Sequence, residues 1–152
     1  MTGLIIGLGN AARGDDAIGV EVARRIAAQG LDGVEVAETD DPTGLLDLWA
    51  GAESAVVVDA MVSHGSPGTV ACFDVAVDRL PGDGWSAGGT HALGLAAAVE
   101  LSRALGTLPA RLVIVGVEAQ DMAAGAGLSS AVLGAADDAA RVALDALGGG
   151  GR

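Results

Sequence analysis

The chain has 152 residues, 51% of them hydrophobic but only 2% aromatic, and 20 acidic residues against eight basic ones give a net charge of −12. That length predicts one domain able to bury roughly 70% of its unfolded surface, and the apolar share excludes disorder. The acidity excludes nucleic acid, whose phosphates need clustered Lys and Arg, and a single cysteine, Cys72, excludes a disulfide framework or a Cys-based zinc cluster.

The run Leu4-Ile5-Ile6-Gly7-Leu8-Gly9 predicts a buried strand over 3–9, followed by a helix over 16–29. Val34 and Val36 alternate in a short strand over 34–38, and 43–49 reads as a short helix. Ala55-Val56-Val57-Val58-Asp59 is an apolar run closed by an acid, the pattern of a strand buried on both faces. Residues 63–68 form a turn-rich link, short enough to make a hairpin with a strand over 69–77 that runs antiparallel in an otherwise parallel sheet. Cys72 lies in that strand and is expected to be a buried structural thiol. A Gly/Pro/Asp loop over 80–89 precedes a helix over 91–105. A last strand over 112–117, a loop over 120–127 and a final helix over 129–147 follow, then a disordered tail over 148–152. Five strands with interleaved helices imply a three-layer α/β/α domain over 1–147, its five-stranded sheet mostly parallel with one antiparallel strand. No apolar run is long enough for a signal peptide or membrane span, which predicts a cytoplasmic protein. A small acidic domain without an apolar stripe predicts a monomer.

Open α/β sheets build their sites at the carboxyl ends of strands. The turn after the first strand delivers Asp15 and Asp16 there. Asp15 is expected to cap the following helix, where an acid accepts a backbone N–H and favours the positive end of the dipole. One cap suffices, which leaves Asp16 to face the crevice. Asp59, directly after a buried strand, is half-desolvated and needs a cation or a donor. Thr90 is expected to cap the helix that starts at His91, and the dipole there keeps the imidazole neutral and able to bind metal. Two carboxylates and an imidazole suit nickel, zinc or manganese and leave coordination positions open. His64 reads as a solvated loop residue. Asp40 and Asp41 follow the second strand, and capping of the next helix by Asp41 or Thr43 accounts for them. A dinucleotide site is excluded by spacing: Gly7 and Gly9 are followed next by Gly14, two residues beyond the place of the motif's third glycine, and the acidic pair would repel a pyrophosphate.

These motifs resemble those of the hydrogenase maturation proteases, endopeptidases that trim the large subunit of nickel-iron hydrogenases. The family's opening stands here as Gly9-Asn10-Ala11-Ala12-Arg13-Gly14-Asp15-Asp16-Ala17-Ile18-Gly19. Its later motifs stand as Val58-Asp59-Ala60, Pro67-Gly68-Thr69-Val70, Thr90-His91, Val115-Gly116-Val117-Glu118 and Gly127-Leu128-Ser129. The resemblance implies that Asp16, Asp59 and His91 form the metal site and carry catalysis. It also implies that the cofactor is nickel supplied by the substrate, the precursor of the hydrogenase large subunit. The expected reaction removes a short C-terminal peptide after a His or Arg beyond the precursor's last metal-binding Cys motif. The chain departs from the family with Asp16 where Glu is frequent, Ala119 where Pro follows Glu118, and Thr39-Asp40-Asp41-Pro42-Thr43-Gly44 in place of Gly-Thr-x-Gly.

The residue types leave two mechanisms open. Nickel held by precursor thiolates either polarises the scissile carbonyl or activates a water, or it only positions the bond while a carboxylate acts as general base. No Ser/His/Asp, Cys/His or His-Glu-x-x-His signature is present. The alternative from another class is a non-catalytic checkpoint domain that binds nickel-loaded precursor through the same ligands. A peptidyl-tRNA-hydrolase-like protein shares the Leu-Ile-x-Gly-Leu-Gly-Asn opening, but the acidic pair and the charge of −12 argue against it.

Overall fold

The computed structural model describes residues 3–78, 80 and 94–148. Its centre is a five-stranded sheet in the order β2-β1-β3-β5-β4. The strands are β1 (Gly3–Leu8), β2 (Val34–Thr39), β3 (Ser54–Met61), β4 (Val70–Asp74) and β5 (Arg111–Glu118). All pairings are parallel except β4 with β5. Helices α1 (Ile18–Ala28), α2 (Gly44–Trp49), α3 (Leu95–Leu105), α4 (Ser130–Gly134) and α5 (Ala136–Gly148) complete the described elements.

The strand sequences explain the layering. β3 and β5 carry apolar side chains on both faces and occupy central positions, as strands of a doubly covered parallel sheet must. Val56, Val58, Val113, Val115 and Val117 meet α1 and α5 on one face. Val57, Met61, Leu112 and Ile114 meet Trp49 of α2 and Leu95 and Val99 of α3 on the other. There Trp49 is fully buried, and its indole N–H donates to Ser102 Oγ at 2.7 Å, so the polar end of a large apolar side chain is satisfied inside the core.

Strand order fixes where ligands go. From β1 the chain passes through α1 to β2 on one side, and then through α2 to β3 on the other. The carboxyl ends of β1 and β3 therefore flank a topological switch point, the crevice where open α/β sheets bind.

Several local expectations change. The antiparallel strand exists, but β4 makes no hairpin with β3: the more apolar β5 lies between them, and the short, half-buried β4 takes the edge. Cys72 is exposed rather than buried, because alternation along β4 sends Ala71 and Phe73 into the α2–α3 layer and turns Cys72 the other way. The final helix breaks after Gly134, a poor helix former, and restarts with Asp137 and Asp138 in the first turn of α5, where acids suit the dipole. Gly148 closes α5 instead of opening a tail, and 149–152 lie outside the described residues. α3 starts at Leu95 after an extended Gly94, and the expected helix start at Thr90 and His91 lies outside the described residues together with most of the 80–89 segment.

Candidate functional site

The segment after β1 is built to bring a carboxylate back over the strand it has just left. Asn10 closes a turn, its Oδ1 accepting the Ala12 N–H at 2.8 Å and its carbonyl the Arg13 N–H at 3.1 Å. A single 3-10 turn, Gly14–Ala17, then leads into α1. Two glycines make the approach possible. At Gly9 φ is +147°, and a Cβ there would lie 2.0 Å from the Asp16 carbonyl oxygen. At Gly19 a Cβ would lie 2.3 Å from the Val58 carbonyl and 2.4 Å from that of Leu8, so only glycine lets the start of α1 rest on the ends of β1 and β3.

Asp16 is therefore buried at the strand ends, 6% exposed. Its Oδ2 accepts the Asn10 N–H at 2.9 Å.

Asp59 sits two residues before the end of β3, opposite Gly116 of β5, and is 2% exposed. Its Oδ2 is buried without a hydrogen-bond partner among the described residues. Burial, and secondarily the nearby charge of Asp16, push its carboxyl well above the usual carboxylate range, against a smaller opposing pull from the Ala60 N–H. An unsatisfied buried oxygen beside a second carboxylate is costly in isolation and favourable next to a cation. Two carboxylates so placed are of the hard oxygen-donor type that a cation can bind.

Asp15 is not a helix cap; the 3-10 turn has no side-chain cap at all. Its fully buried carboxylate collects the loop that follows β5. Oδ2 accepts the N–H groups of Gln120 at 2.8 Å and Asp121 at 2.9 Å and the Ser129 hydroxyl at 2.9 Å, while Oδ1 accepts the Ser129 N–H at 2.7 Å. Burial alone would raise its pKa, but the donors from Asp121, Ser129 and Gln120 outweigh that and hold it below the ordinary value. Main-chain bonds from Gly14 to Ala126 and from Gly125 to Ala12 close the same seam.

Glu118, the last residue of β5, is a buried acid to which the sequence reading gave no role. It accepts the Ser63 N–H at 2.9 Å and the Ser63 hydroxyl at 2.5 Å. The signal that marks Asp59, an apolar strand closed by an acid, also precedes Glu118. His64 is exposed, as expected. Asp41 supports α2 by accepting the Thr43 N–H at 3.0 Å. Exposed Asp40 lines a recess of about 410 Å³ beside the β1 turn, with Asn10, Ala11, Arg24 and Glu38. Among the described residues no three His, Cys, Asp or Glu side chains are placed to share a metal, and His91, expected as the third ligand, lies outside them. No described helix is long and apolar enough to cross a membrane.

Comparison with known proteins extends this picture. No functionally curated protein matches the sequence. Among solved structures, the hydrogenase maturating endopeptidase HybD from Escherichia coli is similar at 27% identity and a TM-score of 0.77, over 99% of this chain and 94% of that one. A solution structure of an endopeptidase from Escherichia coli gives 27% identity and a TM-score of 0.81 over the same shares. The NiFe hydrogenase maturation protease HybD from Thermococcus kodakarensis shares the fold, with a TM-score of 0.72 at 24% identity over 97% of this chain and 99% of that one. The sequence profile of the hydrogenase maturation proteases matches residues 39–146, from the end of β2 to the last turns of α5. This chain belongs to the hydrogenase maturation protease family.

Proposed function

We propose that this protein is the endopeptidase that removes a short C-terminal peptide from the nickel-loaded precursor of a nickel-iron hydrogenase large subunit. In this reading the nickel arrives with the substrate, and Asp16, Asp59 and His91 complete its shell. The observation that carries the reading is the buried oxygen of Asp59, without a partner among the described residues, beside Asp16 at the β1–β3 switch point. A pair so arranged favours a cation strongly, and an incoming cation would displace whatever proton Asp59 holds.

The chain's own residues then have separable tasks. The Asn10 N–H holds one oxygen of Asp16, which leaves the other directed to the substrate with little orientational entropy to lose. Burial of Asp59 keeps water from competing at the pair. Substrate-borne nickel would supply Lewis acidity at the scissile carbonyl.

The test is to incubate the protein with nickel-loaded and nickel-free precursor and to weigh the products by mass spectrometry, with Asp16→Asn as control. Nickel-dependent loss of a C-terminal peptide, absent in the variant, is the expected result. Precursor that is bound but left intact would overturn the protease reading in favour of a checkpoint domain.

A further inference from the structure

Among the described residues, one that is not glycine has a positive φ: His64, at +66°. A side chain in this left-handed region carries strain that glycine would not, and residues kept in such conformations cluster where a protein binds or reacts. His64 is exposed and packs into no core, so burial does not account for its presence.

The structure around it is fixed. Glu118 takes both donors of Ser63, and its Oε1 would lie 3.3 Å from a Cβ at Gly65, so the segment on either side of His64 closes over that carboxylate. Main-chain bonds complete the lacing. Gly68 donates to the Glu118 carbonyl at 2.8 Å, Glu118 to Thr69 at 2.9 Å, and Ala119 to Met61 at 2.9 Å. Sheet register places Glu118 beside Met61, two residues beyond Asp59, on the same face and at the same edge. A buried carboxylate is thus committed to one serine that immediately precedes a strained, exposed imidazole five residues after Asp59.

We infer that His64 contacts the precursor polypeptide, and that Glu118 is a positioning residue acting through Ser63 to hold it there. The carboxylates at this edge, Asp16, Asp59 and Glu118, only accept hydrogen bonds when ionised, whereas a polypeptide offers carbonyl groups that need a donor. The imidazole N–H supplies one. It binds a main-chain carbonyl or a carboxylate of the substrate, which places His64 in substrate affinity and not in bond cleavage. The inference rests on the precursor being the substrate, as proposed above.

Three variants test it with nickel-loaded precursor, read by binding affinity, by KM and kcat, and by thermal midpoint. His64→Gly keeps the backbone conformation and removes the imidazole. We expect the thermal midpoint to hold or rise, Kd and KM to rise about tenfold, the loss of one hydrogen-bonded contact, and kcat to stay constant. His64→Asn, which also tolerates positive φ, should behave likewise. Glu118→Gln should raise Kd in the wild-type background and have no further effect on Kd in the His64→Gly background, whereas a purely structural role would lower the thermal midpoint without changing Kd. Unchanged affinity in His64→Gly overturns the inference while leaving the protease reading intact. Precursor that is cleaved by neither chain, yet bound less tightly by His64→Gly, overturns the protease reading alone, and a wild-type chain that binds no precursor overturns both.

Discussion

Asp15 and Asp59 are both buried acids at one sheet edge, yet Asp15 receives four donors while Asp59 keeps an oxygen with none among the described residues. Burial acts on both in the same direction, and the donors decide the outcome: Asp15 is held below the ordinary pKa and Asp59 well above it. A buried carboxylate surrounded by N–H groups has its charge neutralised by the protein itself and serves the fold. One left unsatisfied beside a second acid raises the free energy of the folded chain until something positive binds. Between them stands Asp16, adjacent in sequence to Asp15 and electrostatically coupled to Asp59.

The contrast breaks most visibly in activity. If Asp16 and Asp59 hold the nickel as proposed, Asp59→Asn and Asp16→Asn should each lower kcat/KM on nickel-loaded precursor by about 10²-fold or more. Stability should move the other way for Asp59→Asn, which replaces a desolvated acid by a neutral amide and should stabilise the metal-free chain by up to about 1 kcal/mol in urea unfolding. A variant both inactive and less stable would place Asp59 with Asp15, among the structural acids.

Asp15→Ala should do the reverse, at a cost of about 3 kcal/mol, since buried N–H groups of Gln120, Asp121 and Ser129 lose their acceptor together. The seam between the β1 turn and the loop after β5 should open, with amide exchange rising over 119–129 well before global unfolding. Next in size is Gly19→Ala. Its Cβ meets main-chain carbonyls of β1 and β3, which cannot rotate away, so a loss of about 2–3 kcal/mol is expected together with displacement of Asp16. Retained activity in that variant would show that α1 need not touch the sheet to position the acid.

Much of this was legible in the sequence, for identifiable reasons. The apolar runs ending in Leu8 and Asp59 gave β1 and β3, because strands buried on both faces leave little else for runs of three or four aliphatic residues to do. That one acid of the pair serves the fold was legible, but the task of Asp15 was not. Its partners lie more than 100 positions away, and nothing local distinguishes a cap from a clamp. The missed hairpin has the same origin: a short link between two strands suggests pairing, and only competition from the more apolar β5 for the central place sends β4 to the edge. Glu118 was readable by the rule that singled out Asp59. Its difference from Asp59 lies in Ser63, again a long-range partner.

The smallest effects are the most discriminating, because Asp15 and Asp59 must shape stability against pH with opposite signs. Asp15 has a folded pKa below its unfolded value of about 3.9. Its contribution is complete above that value and is lost as pH falls through the lower folded pKa. Asp59 has a raised folded pKa, so its protonated form is preferred in the native chain. Its contribution is present below about pH 3.9 and disappears as pH rises through the folded value. Urea unfolding of the metal-free protein from about pH 3 to about pH 8 should therefore show an acid limb that Asp15→Asn flattens and a decline on the alkaline side of pH 4 that Asp59→Asn flattens. Each substitution should leave the other limb in place, because the two acids have separate partners. If Asp59→Asn left the alkaline decline intact, its carboxyl would already be satisfied in the free protein, and the site would hold no electrostatic preference for an arriving cation.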